Sequence, residues 1–218
     1  MKSMKIIGAV GMLAGLCFSS QAAVLPPGSE GLDTPQAPGP AALDTLITPY
    51  SSGSLDGTVT SWVTRDPANP LRGLSFYYQI NNTGSEEVSR LSASDFGVTP
   101  GSPVEVSTIL SAYDGSLAGG VMPNTATRSI GTGSTVGFDF FGANEIDHGE
   151  HSELLVVNTA YQTFRLTAGS VIDSRSFDLT LLGPGVPVTA LPEPSTWITG
   201  ALLLLPLGAS ALRIVRKR

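Results

Sequence analysis

Through the middle of the chain, apolar and polar side chains alternate with a period of two, which is the signature of half-buried strands and not of helices. Residues 74–80 are the clearest case. Leu74, Phe76, Tyr78 and Ile80 alternate there with Ser75, Tyr77 and Gln79, and Asn81-Asn82-Thr83-Gly84 supplies the turn that follows. The same alternation sets Tyr77 opposite Phe76 and Tyr78, on a face predicted to be exposed. Residues 55–64 read as a turn feeding a strand, closed by Arg65-Asp66-Pro67-Ala68-Asn69-Pro70. Further strands are predicted at 88–96, 104–113, 135–141, 152–159, 161–166, 170–172 and 177–182, with loops at 97–103 and 143–151. Residues 114–130 fit no single pattern. Short strands with frequent turns and no helical period predict an all-β fold. The expected form is an antiparallel β-sandwich, jelly-roll-like or Ig-like, with a barrel as the alternative.

Both ends break this pattern. Lys2 and Lys5 precede an apolar stretch over residues 6–18, and Ser20-Gln21-Ala22 presents small residues to a signal peptidase. Residues 1–22 are therefore predicted to be a helical secretory signal, cut after Ala22. Leu16 stands before Cys17 where a lipoprotein signal needs a small residue, which argues against lipidation. Cys17 is the single cysteine and leaves with the signal, so the mature body has no disulfide. Residues 23–42, rich in Ala, Pro and Gly, read as a flexible leader. The sandwich is expected over 43–182 and an extended linker over 183–190.

The C-terminal segment, residues 191–218, has three parts in a fixed order. Pro192 and Pro194 disfavour helix before Ser195. An uncharged run over residues 195–212 then counts eighteen residues, roughly 27 Å as a helix, close to the ~30 Å of a bilayer's hydrocarbon core. Arg213, Arg216, Lys217 and Arg218 follow, a basic flank expected to stay cytoplasmic, while Trp197 suits the opposite headgroup level. Pro206 interrupts the run, a break that membrane helices tolerate.

Pro192-Glu193-Pro194, the short apolar helix and the basic end together resemble the PEP-CTERM sorting signal of exported bacterial proteins. The resemblance covers about the last 28 residues. It implies recognition by an exosortase, a membrane transpeptidase, with the tail serving as a transient membrane anchor until it is removed. The body would then reach the cell surface or an exopolysaccharide matrix. Leu191-Pro192-Glu193-Pro194 also resembles the start of the sortase signal, but Pro194 and Ser195 stand where that signal needs Thr and Gly. Parts of the body, residues 73–81 and 149–159, are similar to bodies common among PEP-CTERM proteins, a likeness that implies no activity.

Charge narrows the partners. Residues 23–191 hold six arginines and no lysine against seventeen carboxylates, a net charge near −11, unlike a nucleic-acid or anionic-membrane binder. Candidate chemistry is sparse. Asp147-His148-Gly149-Glu150-His151-Ser152-Glu153 contains both histidines, and His148 and His151 are weak metal candidates because Gly149 marks a turn in which they need not converge. Asp56, Asp66, Asp114, Asp139 and Asp173 match no calcium-loop spacing and read as turn formers. Gly131-Thr132-Gly133-Ser134 is a turn and not a nucleophile elbow, and Glu86-Glu87 reads as a solvated tip. Trp62, Tyr77, Tyr113 and Tyr161 suit either strand packing or a sugar-binding face. No catalytic set and no cofactor is predicted. The expectation is an exported, non-enzymatic surface or matrix protein, a structural or binding component associated with exopolysaccharide. The alternative is a secreted carbohydrate-active enzyme or carbohydrate-binding module.

Overall fold

A computed structural model of the protein describes residues 23–32, 41–97, 103–109 and 120–185. The expected signal helix, its cut at Ala22, the sorting motif Pro192, Glu193 and Pro194, the membrane helix over 195–212 and the basic flank all lie outside the described residues. Among the described residues, no helix is long and apolar enough to cross a membrane.

The body is all-β. Among the described residues, eleven strands run as β1 (Ala23–Val24), β2 (Asp44–Ser52), β3 (Leu55–Thr64), β4 (Ser75–Asn82), β5 (Arg90–Ala93), β6 (Val104–Ile109), β7 (Thr125–Arg128), β8 (Val136–Asp139), β9 (Leu154–Thr159), β10 (Phe164–Ile172) and β11 (Ser176–Pro184). They form two antiparallel sheets packed as a sandwich. The first, sheet A, has the order β1-β6-β9-β4-β3-β2, and the second, sheet B, has β11-β10-β5-β8-β7. One 3₁₀ turn, Gly142–Asn144, interrupts the connection between β8 and β9.

The predicted alternation of β4 is what builds the core. Phe76, Tyr78 and Ile80 point between the sheets, where they meet Leu91, Phe138 and Leu181, all under 2% exposed. Phe76 stands edge-on to Phe96 at 5.9 Å between ring centres. Burying Val59, Val63, Leu155, Val157 and their neighbours in the same layer supplies the apolar area that a disulfide-free domain depends on. Strand β9 is buried along its whole length, because Leu155 and Val157 face the core while Leu154 and Val156 belong to a second cluster on the outer side of sheet A.

Two departures from the sequence reading concern the edges. The leader is built into the fold over its first ten residues. Ala23 and Val24 pair with Val106 and Glu105, Leu25 is 2% exposed, and Glu30 bridges to Thr127 of β7. This strap covers the free edge of β6 in one sheet and of β7 in the other, so unpaired edge amides repay a segment that shows no alternation of its own. At the other side Gly183 and Pro184, expected in the linker, extend β11, and Gly185 is buried beside them.

The outer edge of β11 is sealed by side chains. Thr48 donates to the Thr180 carbonyl, Tyr78 to the Leu182 carbonyl at 2.8 Å, and the Leu182 amide donates to Ser61 Oγ at 3.1 Å. Hydroxyls from sheet A thus take the place of a further strand.

Candidate functional site

The histidine-bearing turn is a docked loop. Asn82, fully buried at the end of β4, donates from its amide to the carbonyls of Glu86 at 2.7 Å and Ile146 at 2.8 Å, and its Oδ1 accepts from the Gly84 amide. The Asn82 backbone also bonds Gly149 and Glu150, so one side chain and one peptide pin two loops together. Gly149 has φ of +81°, a conformation that favours glycine. His148 Nδ1 lies 2.7 Å from the Gly84 carbonyl. A carbonyl only accepts, so Nδ1 carries the proton there. His151 instead pairs through its backbone with Asn81 and is half-buried. The two rings serve different neighbours. Among the described residues, no group of three His, Cys, Asp or Glu side chains is placed to hold a metal ion.

The scattered aspartates hold turns or ion pairs. Asp66 Oδ1 accepts the Ala68 amide at 2.8 Å, the Asp56 carbonyl accepts from Thr83 and Gly84, and Asp139 pairs with Arg90. Asp114 lies outside the described residues. Glu87, read as part of a solvated tip, lies against Glu145. Its pKa is raised by that hydrogen bond first and then by the charges of Glu145, Asp147 and Asp173. Two carboxyls in such contact are closer than the ~5 Å that separates the pair of a retaining glycosidase.

Of the four candidate aromatics, the three among the described residues, Trp62, Tyr77 and Tyr161, are buried and not displayed as a sugar platform. Tyr77, predicted to be exposed, is 1% exposed and stacks on Trp62 with ring centres 5.4 Å apart and planes 8° apart. Trp62, Tyr77 and Val156 are direct cross-strand partners on β3, β4 and β9. Leu154 completes the cluster, with Ala42 packed against it. Period-two alternation assigns a residue to a face and does not say whether that face is covered. The Tyr77 hydroxyl donates to Asp66 Oδ2 at 3.2 Å, and burial, reinforced by Asp66, raises its pKa. Tyr161 is 5% exposed and donates to the Phe96 carbonyl, while Tyr113 lies outside the described residues.

Sequence reasoning missed the polar network on the outer face of sheet B. Arg90 pairs with Asp139, directly opposite it on β8, and donates from Nη2 to Thr127 Oγ1 at 3.0 Å. Its guanidinium lies over Gly137, where an added Cβ would fall 2.1 Å from Nη2. Beside it the hydroxyls of Ser92 and Ser170 are 2.7 Å apart. The bonds from Arg90 to Asp139 and Thr127 and between Ser92 and Ser170 join residues 37 to 78 positions apart, so no local signal marks them.

Arg128 and Glu153 are among the buried ionisable groups of the described residues, with Asp66 and Glu105. Arg128, 3% exposed, donates to the carbonyls of Gly133 at 2.8 Å, Leu25 at 3.0 Å and Phe96 at 3.2 Å. Desolvation lowers its pKa and the charge of Tyr161 opposes that. Glu153, also 3% exposed, has a carboxyl pKa raised by burial, with Thr108 working against the shift. Compared with protein-family models, with curated proteins and with solved structures, the chain finds no match.

Proposed function

We propose that the chain is an exported cell-surface or extracellular-matrix protein that an exosortase sorts through residues 191–218, and that its sandwich works by display and contact without turning over a substrate. One observation carries the reading: the order of Pro192-Glu193-Pro194, the uncharged run 195–212 and the cations Arg213, Arg216, Lys217 and Arg218. Signal peptidase would cut after Ala22, and β1 starts at the next residue. The tail then anchors the body in the membrane until the exosortase removes it.

The character of the body supports a role outside the cell. It is strongly acidic and needs no disulfide. Within the sandwich class, a jelly-roll-like form is favoured over an Ig-like one, because β4 and β5 pair in turn with β9 and β8. One antiparallel ribbon thereby folds across both sheets. The test is mass spectrometry of the protein from cells that express an exosortase. A C-terminus near Pro194 is expected, and an intact Arg218 overturns the reading.

A second reading, a body that binds the matrix polysaccharide, has its footing on the outer face of sheet B. Ser92, Ser170, Thr127 and the Arg90–Asp139 pair offer donors and acceptors at fixed spacing there, as polysaccharide hydroxyls require. Co-sedimentation with exopolysaccharide, lost on Arg90→Ala, tests this reading. Equal sedimentation of the variant removes it.

A further inference from the structure

We infer that residues 33–40 dock across the outer face of sheet A, with their prolines against the wall formed by Tyr77 and Trp62. Neither the signal nor the tail reading is needed for it.

This face is buried beyond what its own side chains explain. Two cross-strand rows lie along it. Trp62, Tyr77, Val156 and Ser107 stand in register on β3, β4, β9 and β6, and Thr64, Ser75, Asn158 and Glu105 form the next row. Trp62 and Tyr77 are tall and stack on each other, while Val156, Ser107, Ser75 and Asn158 beside them are short. Short side chains on an open sheet face stay in contact with water. Yet Val156 and Ser75 are 0% exposed, and Ser107 and Asn158 are 1% exposed. A further layer must lie on them, and the apolar side chain that the described residues bring to this cluster is Ala42. One methyl group does not cover four strands.

The chain on either side of residues 33–40 shows where that layer comes from. Leu32 packs against the core at the end of the strap, where the Gly31 amide donates to the Ala126 carbonyl of β7 at 2.8 Å. Ala42 lies over β3, β4 and β9 on the outside of sheet A. Between these points the direct route rises past the edge of sheet A and crosses β6 and β9. At ~4.8 Å per strand and ~10 Å between sheets it takes roughly 25 Å. Eight residues reach roughly 30 Å when extended, so the direct route leaves little slack. Passing round sheet B and back over β2 takes roughly 40 Å, which is out of reach.

The residue types suit the surface. Pro35, Pro38 and Pro40 have no backbone N–H, so an extended segment carrying them brings few donors onto an apolar shelf where they would go unpaired. Proline-rich segments lie against aromatic walls in this way and lose little entropy, because their backbone is already restricted. The step from Tyr77 down to Val156 is such a wall. Held there, the segment withdraws this face from outside partners. Contact is left to the outer face of sheet B, where Leu166, Ala168 and Thr180 are exposed.

The test uses the full chain with a photoreactive benzophenone amino acid in place of Ala37, irradiated and mapped by mass spectrometry. Cross-links should fall within one chain, on Tyr77, Val156, Ser107 or their neighbours on β4, β9 and β6. Cross-links to sheet B or to a second copy, or none at all, overturn the docking. A second measurement follows Trp62 alone, in the full chain carrying Trp197→Phe. Replacing residues 33–40 by a Gly-Ser run of equal length should raise acrylamide quenching of Trp62 several-fold. The same replacement of residues 110–119, which leave and rejoin the body beside the start of β9, should not. Unchanged quenching in the first variant, or a rise only in the second, also overturns it.

Discussion

Replacing Arg128 is expected to be the most damaging single change to this domain. Its guanidinium joins the strap at Leu25, the β7–β8 turn at Gly133 and the end of the β5 segment at Phe96, adding buried side-chain bonds where the backbone link from strap to β7 is a single bridge at Glu30 and Thr127 with its flanking bonds. A hydrogen bond from a charged donor contributes about 1.5–3 kcal/mol, and desolvating the guanidinium takes back several kcal/mol of the total. Arg128→Ala removes all three bonds and takes the guanidinium donor from the buried carbonyls of Leu25 and Gly133, while Phe96 keeps Tyr161, for a net loss of roughly 3–5 kcal/mol. Arg128→Lys keeps the charge but not the planar fork, and should cost about 2 kcal/mol. Urea denaturation followed by Trp62 fluorescence reads both. With a slope of about 2 kcal/mol/M, the Ala variant's midpoint falls by roughly 2 M. Hydrogen exchange should show residues 25–31 losing protection before the sheets do. An Ala variant within ~0.5 kcal/mol of the parent, or a strap as protected as before, would refute the reasoning.

Asn82→Ala should lower stability by roughly 2–4 kcal/mol, since it strips two donors and an acceptor from a fully buried site; a thermal midpoint unchanged by the substitution counts against that site as the pin of the two loops. Trp62 and Trp197 are the two tryptophans, so after removal of the tail Trp62 alone should emit. Its stacking on Tyr77 predicts a blue-shifted native spectrum poorly quenched by acrylamide, and a solvent-like spectrum would contradict the buried outer cluster. Burial raises the Glu153 pKa above its ordinary 4.5, so the folded state holds a proton that the unfolded state releases first. Stability should therefore fall as pH rises from about 4.5 to the folded-state pKa. Glu153→Gln should remove that slope and be more stable than the parent at pH 7, a difference that vanishes at pH 4, and parallel pH profiles would argue against it.

The architecture was legible because strand periodicity is a local property. Strand β3 begins and ends where turn residues flank the alternation, and Phe76, Tyr78 and Ile80 face the core as their spacing requires. The proposed sorting signal likewise rests on order along the chain alone. What lies 40 or more positions away is not written into a local pattern. Strand β7 is four residues of Thr, Ala and Arg that pair with nearby β8 on one side and, on the other, with Glu30 from the distant strap. The strap has no alternation, and its place follows from the edges it covers.

The same division separates faces from their fate. Alternation alone put Tyr77 opposite Phe76; only the arrival of Val156 and Trp62 as cross-strand neighbours made that second face a buried cluster. Arg90 and Asp139 likewise became an ion pair when β5 and β8 came side by side. A side chain's direction is set by the two dihedrals of its own residue, and its neighbours are set by the order in which distant strands join the sheet.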